Sequence, residues 1–168
     1  MPFVDLVISG QCPIPYQAIE PCMIREFQMR NIVNALLLSE DKILLALRSP
    51  HRKAYPDLWS FPGGHVESDE TLDQALCREM SEELGIVPLA YHLISRISDP
   101  NATAEAIYYH LYAVTAWSGE PAIVDEEHSE LRWFALCEAN SLTDLALEQY
   151  RGVFAELMAR LAPRVRTY

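Results

Sequence analysis

The sequence lacks an excess of basic residues. Its 168 residues include 13 Lys and Arg against 24 Asp and Glu, which gives a formal net charge of −11. Surfaces that bind nucleic acids or anionic membranes are enriched in Lys and Arg, so this charge argues against stable nucleic-acid binding and against a membrane partner. A small anionic substrate still fits an acidic protein if divalent cations lie between its charges and the protein's carboxylates.

Long apolar runs are also missing. The longest candidate covers residues 32–38, whereas a helix needs about 20 apolar residues to cross a bilayer. The first residues show no basic region followed by a long apolar stretch, which is the pattern of a secretory signal. We therefore expect no membrane-spanning segment and a cytoplasmic location.

Cysteine is scarce and irregularly spaced. The four residues, Cys12, Cys22, Cys77 and Cys137, fit neither a zinc-binding pattern nor a disulfide framework. Free thiols in a reducing compartment are the simplest interpretation, which agrees with the expected location.

Prolines divide the chain into an N-terminal arm and one domain. Pro2, Pro13, Pro15 and Pro21 break any long regular element, so residues 1–28 are interpreted as an arm of uncertain structure that packs on the domain or on a partner subunit. Residues 29–163 contain no linker or internal repeat, and their number suits a single domain with its own core.

Strand patterns dominate this domain. Two apolar runs, at residues 32–38 and 43–47, flank a short polar turn and predict a hairpin. The Pro-Gly-Gly sequence at residues 62–64 predicts a tight turn. The remaining predictions are strands over residues 89–97, 106–116 and 131–134 and an amphipathic helix over residues 143–161.

One helix is delimited at both ends by its sequence. Thr71 is suited to cap the N-terminus, and Gln74, three residues on, completes a capping box. The helix is predicted to end at Leu84, because Gly85 is the residue type favoured after a helix C-terminus. Its apolar stripe, which we expect to pack against a sheet, consists of Leu72, Leu76, Met80 and Leu84.

Three carboxylates crowd the last turns of this helix. Glu79, Glu82 and Glu83 are three or four residues apart or adjacent, which places them on one side of the helix near the solvent boundary. They repel one another, and the helix dipole disfavours anions at this end. Hard divalent cations such as Mg²⁺, which prefer oxygen ligands, are the natural counter-charge.

The stretch from Gly64 to Ile86 resembles the Nudix box, the signature of the Nudix hydrolase family. Gly64 is followed at the family's spacing by Glu70 and then by Arg78-Glu79. An apolar residue, the pair Glu82-Glu83, a glycine and a second apolar residue complete the pattern. Every constrained position is matched, so the motif is highly specific.

The resemblance implies a fold and a reaction. The fold is of the α/β class: a Nudix-type α/β/α sandwich around a mixed β-sheet, in which the box forms a loop–helix–loop. The reaction is the hydrolysis of a diphosphate (P–O–P) bond in a nucleoside diphosphate-linked substrate. It requires a divalent metal, with Mg²⁺ as the expected cofactor and Mn²⁺ as a substitute. A small nucleotide substrate and a homodimer are the expected partners.

The resemblance also assigns roles to residues of the box. Glu79, Glu82 and Glu83 are implied as metal ligands, together with the carbonyl oxygen of Gly63. The residues Arg78 and Glu70 are implied to orient this cluster, since ligating carboxylates must themselves be fixed by hydrogen bonds.

Residues outside the box complete the expected site. Many family members recruit a further glutamate from a later loop as ligand or base, and Glu127, shortly before Trp133, is the best match. The general base is left open among Glu79, Glu82 and Glu127. Arg48 and Arg52 are candidates for phosphate binding, although a solvated basic loop is an equally good interpretation of them.

The substrate is less well specified than the reaction. The approach to the box at residues 59–64 and the turn at residues 116–121 are similar to the MutT-like branch, which hydrolyses nucleoside triphosphates, oxidised ones included, to the monophosphate and pyrophosphate. An ADP-ribose or other nucleotide-sugar pyrophosphatase is the alternative, because Pro100 lies near the position of a proline in such enzymes. A non-catalytic Nudix-like ligand-sensing or interaction module is the alternative of another class, and the intact box argues against it.

Overall fold

A computed structural model describes residues 29–103 and 105–161, and within them a six-stranded sheet is covered by three helices. The interpretation of residues 1–28 as an arm falls outside the described residues, and the single domain over 29–163 stays a prediction. The elements are β1 (Met29–Ser39), β2 (Lys42–Arg48), β3 (Trp59–Ser60), α1 (Leu72–Leu84), β4 (Val87–Ser98), β5 (Ala106–Ser118), β6 (His128–Ala135), α2 (Leu136–Ser141) and α3 (Tyr150–Leu161).

The sheet is mixed, with the strand order β3-β2-β1-β5-β4 and with β6 paired to β2. β1 runs parallel to β5, whereas β4 is antiparallel to β5 and β2 is antiparallel to β1, β3 and β6. The predicted hairpin is confirmed, because Leu38 pairs with Ile43. Parallel pairing of β1 with β5 requires the long crossover that contains α1, so the helix lies over one face of the sheet.

Alternate residues of β1 face two separate cores. Val33, Ala35 and Leu37 are fully buried in a cluster with the apolar stripe of α1. Leu36 points to the other face, where it is buried in a cluster with Phe154 and other residues of α3. Because successive side chains of a strand point to opposite faces, β1 is covered on both sides. The α/β/α sandwich is therefore confirmed.

Helix α1 has the limits that its sequence predicts. The Thr71 hydroxyl accepts from the Gln74 amide at 3.3 Å, and the Thr71 amide donates to the Gln74 side chain at 2.8 Å. Gly85 closes the helix with a φ of 66°, in the left-handed region that favours glycine. The carboxylates of α1 are thus carried on a helix that is fixed at both ends.

The C-terminal part of the chain differs from its sequence pattern. The prediction of a helix over residues 143–161 is wrong for its first seven positions, because α3 begins only at Tyr150. The backbone around Leu145 pairs with β3 instead: the Trp59 amide donates to the Asp144 carbonyl, and the Ala146 amide donates to the Trp59 carbonyl, both at 2.8 Å. These tertiary hydrogen bonds replace those that a helix would supply. None of the described helices is long and apolar enough to cross a membrane.

Candidate active site

The glycine segment before α1 runs alongside β1. The Val33 amide donates to the Gly64 carbonyl at 2.9 Å. Gly63 has a φ of 140°, and a Cβ atom there would lie only 2.9 Å from the Asn34 Cα atom. Glycine alone permits both this backbone angle and this approach. Residues 62–64 are therefore paired with a strand rather than folded into the predicted tight turn.

The Glu79 carboxylate fills the space beside Gly64. A Cβ atom on Gly64 would collide with this carboxylate, so the absence of a side chain brings helix and loop together. Burial raises the pKa of Glu79, the guanidinium of Arg78 opposes the rise, and the carboxylates of Glu82 and Glu127 add to it. Glu79 therefore lies where the loop and the helix of the box meet, in a site where burial outweighs the effect of Arg78 on its pKa.

Glu83 lies deeper than the solvent boundary at which we expected it. It is 4% exposed, and its Oε2 atom accepts a hydrogen bond from the Gly63 amide at 2.6 Å. Burial raises the pKa of Glu83 to about 8, and the nearby carboxylates of Glu79 and Asp125 add to this effect. A charged carboxylate at this depth is stable only with a positive partner, which a bound cation supplies.

Arg78 connects the acidic residues of the box. Its Nη1 atom donates to Glu79 Oε1 at 2.8 Å and to Glu82 Oε2 at 3.0 Å. Its Nε atom donates to Glu70 Oε2 at 3.1 Å, and these hydrogen bonds from Arg78 lower the pKa of Glu70. A further bond to the His65 carbonyl, at 2.9 Å, ties the guanidinium to the loop. The Glu82 side chain is 59% exposed, so Arg78 rather than burial holds it in place.

Glu127 and Arg52 form an ion pair across the site. Arg52 Nη1 lies 2.7 Å from Glu127 Oε1. The Ser49 amide donates to the Glu127 carbonyl at 2.8 Å, which holds the loop of Glu127 beside the end of β2. Arg48 is fixed by a hydrogen bond of 2.9 Å from its Nε atom to the Ala54 carbonyl. Of the two candidate phosphate-binding arginines, Arg52 therefore contacts the candidate ligand from the later loop, and Arg48 lies beside that loop, paired with His128.

Asp125 and His128 are candidate site residues that the sequence did not reveal. One ligand atom from each of Glu83, Asp125 and His128 lies within 4.8 Å of the others. Among the described residues, both carboxylate oxygens of Asp125 and the Nδ1 atom of His128 are buried without a hydrogen-bond partner. The two side chains approach to 3.5 Å, but without hydrogen-bond geometry. Burial lowers the pKa of His128, which favours the neutral imidazole that binds metals.

The donor set of this region fits a hard divalent cation. Glu83 accepts from the Gly63 amide, and Glu79 and Glu127 line the same cavity as Gly63. All three offer carboxylate oxygens, which are the ligands that such cations prefer. The raised pKa of Glu83 and the unpaired atoms of Asp125 both indicate a site that a positive charge would stabilise.

A cavity of about 380 Å³ opens beside these carboxylates. Its size falls in the range of small-molecule sites, roughly 300–1,000 Å³. Glu79, Glu127, Arg48 and Arg52 all line it. The cavity therefore joins the candidate metal ligands to the candidate phosphate-binding side chains.

The lining of the cavity extends to residues that the sequence did not single out. The Tyr55 hydroxyl donates to Asp99 Oδ1 at 2.6 Å, and the Tyr109 hydroxyl donates to Asp99 Oδ2 at 3.0 Å. Burial and the Asp99 carboxylate both raise the pKa of Tyr109, so its hydroxyl keeps its proton. Asn34 and Ser60 also line the cavity, and each is 3% exposed. They come from separate strands and loops, so no local motif marks them.

Comparison with protein families finds a match to the NUDIX domain over residues 28–157. Among curated proteins, the chain is 35% identical over 112 residues to the CTP pyrophosphohydrolase of Escherichia coli (strain K12), a match that covers 67% of this chain and 80% of the relative. It is 31% identical over 106 residues to the 8-oxo-dGTP diphosphatase of Buchnera aphidicola subsp. Schizaphis graminum, over 63% of this chain and 77% of the relative.

Among solved structures, the fold is similar to the crystal structure of a MutT NUDIX hydrolase from Burkholderia pseudomallei. The TM-score is 0.68 and the sequence identity 31%, and the match covers 77% of this chain and 98% of that chain. The similarity therefore extends beyond the box to most of the sandwich.

Proposed function

Because this chain belongs to the NUDIX domain family, we propose that it is a pyrophosphohydrolase that converts a nucleoside triphosphate, oxidised or not, to the monophosphate and pyrophosphate. The observation that carries this proposal is the single cavity in which Glu79 and Glu127 meet Arg48 and Arg52. A polyphosphate needs both parts, because arginines bind its oxygens and carboxylates bind the cations that accompany it.

We assign the metal site to residues of the box and of the later loop. Glu79, Glu82, Glu83, Glu127 and the carbonyl oxygen of Gly63 would hold Mg²⁺, with Mn²⁺ as a substitute. When bound, the cation lowers the pKa of the attacking water and offsets charge on the phosphates. Glu83 is already fixed by the Gly63 amide at 2.6 Å, which supports its place as the most firmly positioned ligand.

Arg78 and Glu70 position these carboxylates. Arg78 reaches Glu79 and Glu82 at 2.8 and 3.0 Å, while its bonds to Glu70 prevent the guanidinium from turning towards solvent. A group that holds a ligand in this way acts on the reaction through that ligand.

Glu79 is our choice for the group that accepts the proton of the attacking water. It lines the cavity, and burial raises its pKa, which moves it closer to the range suited to a general base. Glu82 is largely exposed and bound to Arg78, and Glu127 is paired with Arg52 at 2.7 Å. Glu79 is bound to Arg78 as well, at 2.8 Å, so burial is the ground for the choice: its side chain is 13% exposed, against 59% for Glu82 and 43% for Glu127.

Arg48 and Arg52 are assigned to the phosphates of the substrate. Both line the cavity, and the names of the relatives, CTP pyrophosphohydrolase and 8-oxo-dGTP diphosphatase, support a triphosphate. We further propose a cytoplasmic location, in keeping with the free thiols of Cys77 and Cys137, and no stable nucleic-acid binding. A single domain over residues 29–163 and a homodimer stay predictions.

A panel of nucleotides tests the proposal. Nucleoside triphosphates, 8-oxo-dGTP and ADP-ribose are incubated with Mg²⁺ or Mn²⁺, and pyrophosphate and monophosphates are quantified by chromatography. We expect pyrophosphate and a monophosphate from at least one triphosphate. Turnover of ADP-ribose alone, to AMP and a sugar phosphate, would overturn the substrate class, and no turnover of any compound would overturn the enzymatic role.

A matched pair of variants tests the loop residue. Glu127→Gln removes the charge of the assigned ligand, whereas Glu126→Gln makes the same change at the exposed neighbour. We expect a loss of kcat in the first variant and near-normal turnover in the second. Equal turnover in both would remove Glu127 from the site.

A further inference from the structure

The cavity presents opposite chemistry in two parts of its lining. Arg48 and Arg52 supply hydrogen-bond donors near Glu127, beside the end of β2. Asn34, on β1, and Asp99, directly after β4, supply oxygen acceptors. In the strand order β2-β1-β5-β4, Asp99 follows the strand farthest from β2, and the Tyr55 hydroxyl connects it to the loop after β2 at 2.6 Å. A ligand that is anionic at one end and rich in N–H groups at the other matches this distribution.

The orientation of the Asn34 amide is fixed by its surroundings. Its Nδ2 atom donates to the Phe61 carbonyl at 3.0 Å and lies 3.4 Å from the Pro62 carbonyl. Reversal of the amide would turn its oxygen towards two carbonyl oxygens, so the present orientation is the stable one. The Oδ1 atom is therefore an acceptor, and among the described residues it has no hydrogen-bond partner. An unpaired buried acceptor costs about 1–3 kcal/mol, which a donor on a ligand would recover.

Asp99 is an acceptor that is held in place by donors. Its carboxylate receives the Tyr55 hydroxyl at 2.6 Å, the Asn101 amide at 2.8 Å and the Tyr109 hydroxyl at 3.0 Å. A carboxylate has about four acceptor positions, so about one remains for a ligand. The three donors fix the direction of that position without neutralising the charge.

We infer that Asn34 and Asp99 select a nucleobase that carries an exocyclic amino group and disfavour uracil and thymine. The inference rests on the proposed function, because it concerns the substrate of the same cavity. Cytosine and adenine present an amino group on their pairing edge, and guanine presents an amino group beside a ring N–H. Uracil and thymine present one N–H between two carbonyl oxygens, which would face the acceptors of Asn34 and Asp99.

Matched pairs of substrates isolate the amino group. CTP is compared with UTP, and GTP and ATP are each compared with ITP, which lacks the 2-amino group of the first and the 6-amino group of the second. A site that is built to bind an N–H group discriminates against an analogue without it, because its own acceptors are then left unpaired. We expect kcat/KM for the best amino-bearing nucleotide to exceed that of its partner by at least tenfold (about 1.4 kcal/mol).

Two variants assign that preference to residues. Asn34→Leu keeps the size of the side chain and removes the acceptor, and Asp99→Asn keeps its shape, removes the charge and adds a donor. We expect either change to reduce the preference, measured as kcat/KM for the amino-bearing nucleotide divided by kcat/KM for its matched partner, to below about threefold. Asn140→Leu is the matched control: Asn140 Oδ1 is likewise buried without a partner among the described residues, and Asn140 does not line the cavity. The ratio should keep its wild-type value in this control.

Binding of the monophosphate products tests the inference independently of catalysis. Calorimetric dissociation constants for CMP and UMP, and for GMP, AMP and IMP, report the same selection without turnover. If no nucleotide is hydrolysed, the proposed function fails, and a tenfold preference for an amino-bearing product still supports the inference. Equal binding and equal kcat/KM within every pair would overturn it. A preference that survives in both Asn34→Leu and Asp99→Asn would overturn it as well.

Discussion

The carboxylate cluster of α1 and the acceptors in the cavity are built in opposite ways. Glu79, Glu82 and Glu83 come from one helix, whose periodicity alone places them together. Asn34 lies on β1 and Asp99 directly after β4, and the pairing of β5 with both strands brings them to one cavity. The proposed reaction therefore depends on a local motif, whereas the proposed selection of substrate depends on the tertiary fold.

Removing charge from the helix cluster is expected to have the largest effect. We predict that Glu82→Gln and Glu83→Gln each lower kcat by at least about 100-fold, because each change removes a metal ligand or its charge. Steady-state rates at saturating Mg²⁺ measure this loss. Glu156→Gln, on the exposed side of α3, serves as the control and should retain normal turnover. Near-normal turnover in both cluster variants would contradict the assignment.

The buried position of Glu83 predicts a pH-dependent stability in the metal-free protein. Its pKa rises from an ordinary 4.5 to about 8 on folding, so the folded state binds this proton more tightly than the unfolded state. The stabilisation is complete below the unfolded value and is lost as the pH rises through the folded value.

Chemical denaturation in the presence of a chelator measures this effect. Between pH 5 and pH 8, we expect the free energy of unfolding of the wild type to fall by about 2 kcal/mol more than that of Glu83→Gln. This fall in the free energy of unfolding is smaller than the full change in pKa implies, because structural relaxation and the entry of water reduce the cost of a buried charge. Identical pH profiles for the two proteins would show that Glu83 titrates normally.

Arg52 tests the contribution of the arginines that line the cavity to substrate binding. We expect Arg52→Ala to raise KM about tenfold for a triphosphate, since it removes one charge-assisted contact to phosphate. Lys53→Ala is the control, because Lys53 is the exposed neighbour and does not line the cavity. An unchanged KM in Arg52→Ala would leave phosphate binding to other side chains.

The smallest expected effect concerns the N-terminal cap of α1, the helix that carries the carboxylate cluster. Thr71→Ala removes the hydroxyl that caps α1, and we expect the free energy of unfolding to fall by about 1 kcal/mol. Thermal and chemical denaturation measure the change. The kcat at saturating Mg²⁺ and 25 °C should stay within about twofold, since the cap lies about two to three turns from the carboxylates. A large loss of kcat would mean that the cap positions the cluster.

The sequence predicts well those features that are determined by residues close together in the chain. The limits of α1 follow from Thr71 and Gly85, and the hairpin follows from two apolar runs; both are confirmed. The C-terminal helix begins seven residues later than predicted because Leu145 and its neighbours pair with β3. The apolar periodicity of the sequence does not predict this contact.

The same distinction holds within the candidate site. The spacing of Glu79, Glu82 and Glu83 indicates a shared side of the helix. It does not indicate that Glu83 is buried, accepts from the Gly63 amide and lies near the Asp125 carboxylate. Asp125 and His128 stand in an acidic loop whose composition resembles an ordinary solvated surface. They lie close to Glu83 because of the path of the chain between β5 and β6, which no pattern of residues in the sequence predicts.

The hydrogen bond from Gly63 to Glu83 fastens the two ends of the box to each other. A segment closed in this way enters cation binding with its backbone and its deepest carboxylate already immobilised, so little conformational entropy is lost at that moment. Rigidity of this kind would also limit which ions the proposed site accepts, because fixed ligands cannot move to suit ions of different radius.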